Sequence, residues 1–113
     1  MALEKLDAAQ WKEFFDRVSK GVGAKQVEIE VAGLDLGDEV EAEWIPFTGI
    51  SYDPKDDVLS VFSDRIEHMI HKPKEVWVDF GVDGLHSMEV VDADDHKQII
   101  VLKDDLALPA PGE

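Results

Sequence analysis

Five glutamates in two neighbouring segments are the residues whose type and spacing most clearly suggest a chemical role. The segments are 27–31 and 39–44, and the glutamates in them are Glu28, Glu30, Glu39, Glu41 and Glu43. Each alternates with apolar residues, a period of two that is typical of a half-buried strand with one carboxylate face. Paired carboxylates catalyse hydrolysis only when an apolar pocket raises the pKa of one of them. A solvated row of carboxylates is better suited to binding a cationic partner.

The apolar residues between these glutamates are predicted to form the buried face of the two strands. That face consists of Val27, Ile29, Val31, Val40, Ala42 and Trp44. If the strands pair with each other, the carboxylates crowd onto the opposite face, where like charges destabilise a sheet. Two interpretations remain open: the carboxylate face is merely solvated, or it binds a basic protein.

His68 and His71, together with Glu67, form a second candidate site. Residues three apart on a helix lie on one face, and two imidazoles placed in this way can bind the same metal ion. The order of the residues differs from that of zinc proteases, in which the glutamate follows the first histidine. The spacing indicates no third ligand, so we expect no cofactor and keep metal binding as an alternative.

The acidic segment around Asp92 resembles the start of a calcium-binding loop, with further aspartates at Asp94 and Asp95. An EF-hand loop requires glycine at its sixth position and glutamate at its twelfth. Lys97 and Lys103 occupy those positions. The segment is therefore predicted to be a hairpin turn whose aspartates accept backbone hydrogen bonds.

Composition excludes several classes of function. The chain has no cysteine, which removes disulfides, thiolate nucleophiles and cysteine-ligated metal centres. The net charge of -15 disfavours binding to nucleic acid and to anionic membranes, because both need lysine and arginine. The sequence contains no phosphate-binding loop, dinucleotide fingerprint or nucleophile elbow. We therefore expect a protein without catalytic residues that is not an enzyme.

A helix and a series of strands must position these residues. Asp7 and Gln10 form a capping-box pattern, and a helix is predicted over 8–20. Its apolar stripe should pack on a sheet and consists of Trp11, Phe14, Phe15 and Val18. Strands are predicted at 26–32, 39–46, 47–52, 58–62, 74–80, 85–91 and 97–102. The segment 47–52 is either a separate strand or a continuation of 39–46 past a bend at Pro46.

A short helix is also predicted in mid-chain, where Ile66, Met69 and Ile70 share a face before Pro73 ends it. Tight turns and short connections favour antiparallel pairing of the strands. The predicted fold class is α+β, with an N-terminal helix packed on a strongly twisted, mainly antiparallel sheet or open barrel. This sheet should have about six or seven strands.

A length of 113 residues and an apolar fraction of 44% are typical of one packed domain, so residues 1–113 are predicted to be a single domain. Residues 109–113 are expected to form a mobile tail. No apolar run approaches the ~18 residues of a membrane span, and the N-terminal segment has no signal pattern. We therefore expect a cytoplasmic location, and the oligomeric state is left open.

Several strings of the sequence are long enough to compare with known families. They are Gln26–Asp38, Glu41–Pro46, Gly49–Val58, Glu89–Asp94 and Leu106–Pro111. Together they resemble a family of small bacterial proteins known as a domain of unknown function, DUF5335. The resemblance spans nearly the whole chain and implies a compact bacterial domain, but no activity, cofactor or functional residue. One departure is Asp95, where glycine would be the usual residue at the tip of the turn.

The function expected from the sequence is a non-enzymatic interaction module that presents its carboxylate face to a basic protein. Two alternatives are retained. One is a small metal-dependent protein or enzyme that uses His68, His71 and Glu67. The other is an acidic mimic of nucleic acid that competes for a basic groove.

Overall fold

The computed structural model describes residues 2–21, 25–33, 37–64, 67–82 and 84–106, without the side chains of residues 2, 38–43 and 105. This part of the chain is mostly antiparallel sheet, with one α-helix near its N-terminal end. The helix, α1, spans Trp11–Gly21. The strands are β1 (Ala2–Leu6), β2 (Gln26–Gly33), β3 (Gly37–Asp53), β4 (Val58–Ser63), β5 (Glu67–His71), β6 (Pro73–Gly81), β7 (Gly84–Asp92) and β8 (Lys97–Leu106).

Most of the predicted elements are present, and the N-terminal helix and the antiparallel sheet are confirmed. The strands predicted at 26–32, 58–62, 74–80, 85–91 and 97–102 correspond to β2, β4, β6, β7 and β8. The two strands predicted at 39–46 and 47–52 are one continuous strand, β3, of 17 residues. The predicted tail at 109–113 lies outside the described residues.

Helix α1 begins at the predicted capping box. The Asp7 carboxylate accepts a hydrogen bond from the Ala9 N–H at 3.1 Å, and the Gln10 side chain accepts one from the Asp7 N–H at 3.3 Å. A short 3-10 turn, Ala8–Gln10, leads into the helix. The apolar stripe is buried as predicted, at Trp11, Phe14, Phe15 and Val18.

The strands form one sheet in the order β1-β6-β7-β8-β2-β3-β4-β5, so β1 and β5 are its two edges. Every pair of neighbours is antiparallel. β3 pairs with β2 as far as Pro46 and with β4 from Phe47 onward. Proline has no N–H to donate to a ladder, so Pro46 is compatible with this change of partner.

Helix α1 covers the backbone that β3 leaves unpaired beyond Pro46. The Ser19 hydroxyl donates a hydrogen bond to the Ile50 carbonyl oxygen and accepts one from the Ile50 N–H, with an N···O distance of 2.8 Å. One hydroxyl thus satisfies the two backbone groups that a further strand would otherwise pair.

The short helix predicted in mid-chain is wrong, because residues 67–71 form β5 and pair with β4. A helix would place Met69 and Ile70 on one face, but Ile70 is 2% exposed and Met69 is 46% exposed. This alternation is that of a strand. A segment of this length cannot sustain a helix alone, so the main-chain partner offered by β4 determines its structure.

The described sheet also has more strands than predicted, with eight in all. No strand is predicted at β1, which pairs with β6 from Leu6↔Val76 to Ala2↔Phe80. Its two leucines differ in burial, since Leu3 is 60% exposed and Leu6 is 3% exposed. Their three-residue spacing does not alternate with period two, so the pattern gave no strand signal.

The core lies on one face of the sheet, which we call the inner face; the opposite face is the outer face. The largest fully buried side chains are Phe15, Phe47, Ile29, Ile50, Leu59, Ile70, Leu85, Met88, Ile100 and Leu102. Helix α1 joins this cluster, and the Phe14 ring lies edge-on to Phe80 with centroids 6.4 Å apart. The polar residues on the outer face of the strands are therefore held on a packed support.

Candidate functional site on the outer face of the sheet

Glu28 and Glu30 lie on the outer face of β2, as predicted. The residues that alternate with them, Val27, Ile29 and Val31, are buried, which confirms this part of the pattern. Both glutamates are half-buried, and in the register they lie opposite Val101 and Ile99 of β8. Within the described part of the chain neither carboxylate forms an ion pair or a side-chain hydrogen bond.

The second half of the predicted carboxylate face is less regular, because the register between β2 and β3 shifts twice. It runs Val27↔Ile45, Ile29↔Ala42, Glu30↔Val40 and Val31↔Glu39. Each shift inserts extra residues into β3, as a β-bulge does. The side chains of residues 38–43 lie outside the described part, so a common face for Glu39, Glu41 and Glu43 stays a prediction.

The predicted burial of Trp44 is wrong. Its side chain is 36% exposed, and its φ angle is 47°. Trp44 lies within the first register shift, between the pairs Val27↔Ile45 and Ile29↔Ala42, where the ladder is interrupted. A residue in a left-handed conformation inside a bulge is re-aimed relative to the strand, so period-two alternation does not hold at this point.

A row of outer-face residues crosses five strands at the level of Glu30. The register places Lys5, Trp77, Glu89, Ile99 and Glu30 side by side on β1, β6, β7, β8 and β2. Acidic and apolar side chains thus alternate across the sheet as well as along it. The result is a surface on which carboxylates border apolar side chains.

A shallow groove of about 300 Å³ lies on this face, and we call it the outer groove. Its lining residues are Leu3, Glu75, Trp77, Glu89, Val91 and Lys97. The Trp77 indole N–H donates to the Glu75 carboxylate at 3.0 Å, which fixes the orientation of the ring. Lys97 Nζ lies 3.6 Å from Glu89 Oε1. An aromatic ring with a fixed orientation between carboxylates is a favourable surface for a cationic side chain.

The charges on the described outer face of β1, β2, β6, β7 and β8 are predominantly negative. The carboxylates are Glu28, Glu30, Glu75, Asp79 and Glu89, and the ammonium groups are Lys5, Lys97 and Lys103. Lys97 already pairs with Glu89. The face is thus complementary to a ligand that is both basic and apolar. The outward position of Trp77 could be foreseen from its place between Val76 and Val78, but the groove could not, because it depends on the order of the strands.

The structure separates His68 from His71 and Glu67, because neighbouring residues of a strand point to opposite faces. His68 lies on the inner side of β5, and its Nε2 is 2.7 Å from Gln98 Oε1. Glu67 and His71 are exposed on the outer side. The shared helix face assumed for a metal site is therefore absent from these described residues.

Gln98 is a buried polar residue that sequence reasoning missed. It is 5% exposed near the start of β8, just before the apolar run 99–102, and its amide nitrogen donates to Asp92 Oδ2 at 3.0 Å. The amide oxygen therefore faces His68, so His68 Nε2 must be the donor of their hydrogen bond. This side-chain bond connects β5 to β8 across the inner face. A single polar residue gives no periodic signal, so the sequence offered no means of finding it.

The predicted hairpin turn between β7 and β8 is present, and its aspartates accept backbone hydrogen bonds. Asp92 Oδ1 accepts from the Asp94 and His96 N–H groups at 2.9 and 3.0 Å. Asp95 has a φ angle of 64°, so the position where glycine would be usual is left-handed. Ligand atoms of Asp92, Asp94 and His96 also lie within 4.8 Å of one another. The Asp92 carboxylate already holds the turn and Gln98, which accounts for this cluster without an ion.

Among the described residues, Tyr52 has a strongly raised pKa. Burial, followed by the hydrogen bond to the Asp57 carboxylate at 2.8 Å, raises the pKa of Tyr52 to about 12. A general base must be deprotonated near the working pH, so a phenol with a raised pKa is unsuited to that role. Tyr52 instead serves as a hydrogen-bond donor that fixes the turn between β3 and β4.

The comparisons with known proteins identify a family and add no activity. The chain belongs to a family of unknown function, DUF5335, whose model matches residues 2–111. It is 38% identical over 110 residues to an uncharacterized protein of Aquifex aeolicus (strain VF5), with 96% of this chain and 99% of that protein covered. The resemblance drawn from the sequence strings is therefore confirmed. No solved structure matches the chain.

No helix among the described residues has the length and apolar character that crossing a membrane requires.

Proposed function

We propose that this chain is a non-enzymatic protein-interaction module that binds a lysine- or arginine-rich protein segment across the outer face of the sheet. The observation that carries this proposal is the position of Glu28 and Glu30. Both carboxylates lie on a packed strand, without an ion-pair partner among the described residues, beside the apolar side chains of Ile99 and Val101.

A basic segment would use both chemistries of this face. Its ammonium or guanidinium groups would pair with Glu28 and Glu30, and its aliphatic stems would pack on apolar surface such as Trp77. A cation over the indole ring adds attraction of about 0.5–1 kcal/mol at an exposed site. Charge complementarity of this kind acts mainly on the association rate and weakens as salt rises.

The test compares wild-type protein with the double variant Glu28→Gln/Glu30→Gln. Each tagged protein is incubated with native lysate at low and moderate salt, and captured proteins are quantified by mass spectrometry. We expect basic proteins to be depleted from the captured set of the variant, with the larger difference at low salt. The association rate of a purified captured protein should fall in the same direction.

A matched control separates a local effect from a change in net charge. Glu4→Gln/Asp56→Asn neutralises the same number of exposed carboxylates elsewhere, since Glu4 lies on the other side of β1 and Asp56 in the turn after β3. The control should capture like wild type. Equal capture by all three proteins would mean that the outer face is only solvated. Captured proteins drawn only from nucleic-acid-binding classes would favour the mimic instead.

A further inference from the structure

β5 is an edge strand whose outward backbone groups have no hydrogen-bond partner among the described residues. The Lys72 N–H donates to the Asp57 carbonyl oxygen at 2.8 Å, and hydrogen-bonded pairs alternate along an antiparallel ladder. Ile70 and His68 therefore exchange hydrogen bonds with Leu59 and Val61 of β4.

The side chain of Ser19 and the pairing of β3 with β4 independently show which residues of β5 direct their backbone groups toward β4. Ile50 directs its N–H and carbonyl oxygen to Ser19, so its pair with Val61 is not hydrogen-bonded. Val61 must then direct its own groups to His68 of β5. It follows that the remaining residues of β5 point their backbone away from β4, and these are Glu67, Met69 and His71.

This edge has few of the features that prevent edge-to-edge pairing. Natural edge strands are protected by short length, by charged side chains, especially lysine, by proline or by a bulge. Of these, β5 has only its length of 5 residues and the carboxylate of Glu67. Glu67–His71 contains neither lysine nor proline, and its register with β4 is regular. The exposed surface beside it is apolar, since Met69 is 46% exposed and Phe62 of β4 is 36% exposed.

We propose that two copies of this chain form a two-fold dimer by antiparallel pairing of β5 with β5, centred on Met69. This pairing is independent of the outer-groove function. It places Met69 opposite Met69 of the second copy, and Glu67 opposite His71 of the second copy. Each of these pairs uses outward backbone groups and exchanges two N–H···O hydrogen bonds.

The side chains favour this register over the two-fold registers centred on other residues of β5. A dyad at Glu67 would place two carboxylates opposite each other, which destabilises pairing. Dyads at His68, Ile70 or His71 would deprive Glu67 of its imidazole partner, whereas the dyad at Met69 forms the Glu67–His71 cross-strand pair twice. The Met69 side chains of the two copies then meet on the outer side, next to Phe62, and bury apolar surface that is exposed in one copy.

The test measures the oligomeric state by sedimentation velocity over a wide range of protein concentration. Salt is kept near 0.15 M, where the Debye length of about 8 Å screens the repulsion between two acidic chains but not the contacts. We expect a concentration-dependent dimer. Glu67→Lys and His71→Glu should each weaken it about tenfold, because each substitution disrupts two cross-strand pairs. The double variant Glu67→Lys/His71→Glu should restore the dimer, since lysine of each copy then lies opposite glutamate of the other.

Glu4→Lys is the control for Glu67→Lys, because it makes the same change in charge but lies on β1. It should leave the dimer unchanged. Hydrogen exchange of the wild type gives a second readout that needs no variant: the amides of Glu67, Met69 and His71 should exchange more slowly as concentration rises. A monomer at every concentration would overturn the dimer. So would a dimer that both single variants leave intact, or a double variant that fails to restore it.

Discussion

Two stretches of the described sheet that lack a neighbouring strand on one side are treated differently: the part of β3 beyond Pro46, which we call the β3 edge, and β5. Where β3 has separated from β2, Ser19 of α1 binds the N–H and carbonyl oxygen of Ile50. At β5, no described backbone group pairs with the outward groups of Met69. The first edge is thus completed within the chain, whereas the second is available to another molecule. An edge that the fold itself satisfies contributes to stability, and an edge left open can provide an interface.

The largest expected effect on stability concerns the attachment of α1 to the β3 edge. Phe15 of α1 is fully buried between the helix and the sheet, with 0% exposure. Phe15→Ala should lower the free energy of unfolding by about 3–5 kcal/mol, through lost apolar burial and the cavity that remains. Chemical denaturation measures the change. Lys12→Ala, on the exposed side of α1, should change it by less than about 0.5 kcal/mol. An unchanged midpoint for Phe15→Ala would mean that α1 does not hold the β3 edge.

The next effect separates the two faces of β5. Ile70→Ala should cost about 2–5 kcal/mol because the side chain is 2% exposed in the core. Met69→Ala should cost less than about 1 kcal/mol in dilute monomer, since its side chain is 46% exposed. On a helix these adjacent residues would belong to one apolar face and the two costs would be similar. Thermal denaturation at low protein concentration distinguishes the two arrangements.

A smaller effect is expected at the hydroxyl that completes the β3 edge. Ser19→Ala leaves the N–H and carbonyl oxygen of Ile50 without this partner, at a cost of about 1–3 kcal/mol. The amide of Ile50 should also exchange faster with solvent. Thr48→Ala, an exposed hydroxyl in the same strand, is the control. Equal stability for Ser19→Ala would show that water replaces the hydroxyl and that the edge is not closed by α1.

The sequence contains the information for the elements that have their own periodicity. The aromatic stripe of α1 and the alternation in β2 predict both elements and their buried faces. β1 and β5 carry no such pattern, because an edge strand is fixed largely by the main-chain hydrogen bonds that its neighbour offers. The spacing of Ile66, Met69 and Ile70 instead suggested a short helix before Pro73, and the pairing of residues 67–71 with β4 prevails over it.

The candidate site also has a part that the sequence predicts and a part that it does not. The outward positions of Glu28 and Glu30 follow from strict alternation, and the structure confirms them for β2. The exposure of Trp44 does not follow, since it depends on a register shift that is a property of the pair of strands. Gln98 and the outer groove depend on which strands lie side by side. Strand order is a tertiary property that a single sequence leaves open.

The smallest expected effect on the free energy of unfolding at neutral pH is that of Tyr52. Its ring lies edge-on to Trp11 of α1 with centroids 5.2 Å apart. Its pKa is raised to about 12 in the folded protein, first by burial and then by the hydrogen bond to Asp57. The unfolded chain loses this proton near the ordinary value of 10, so between pH 10 and 12 the folded state binds more protons. The contribution to stability is complete below pH 10 and is lost as the pH rises through 12.

Tyr52→Phe keeps the ring against Trp11 but removes the titration, so the difference in unfolding free energy between wild type and variant should shrink above pH 10. Tyr52 is the only tyrosine of the chain, so ultraviolet titration reports its ionisation directly. Asp57→Asn should lower the pKa of Tyr52 only in part, because burial is the larger cause. A return to 10 in that variant would mean that the carboxylate, and not the packing beneath α1, controls this residue. The packing of α1 on Tyr52 would then contribute less to the β3 edge than the Trp11–Tyr52 contact indicates.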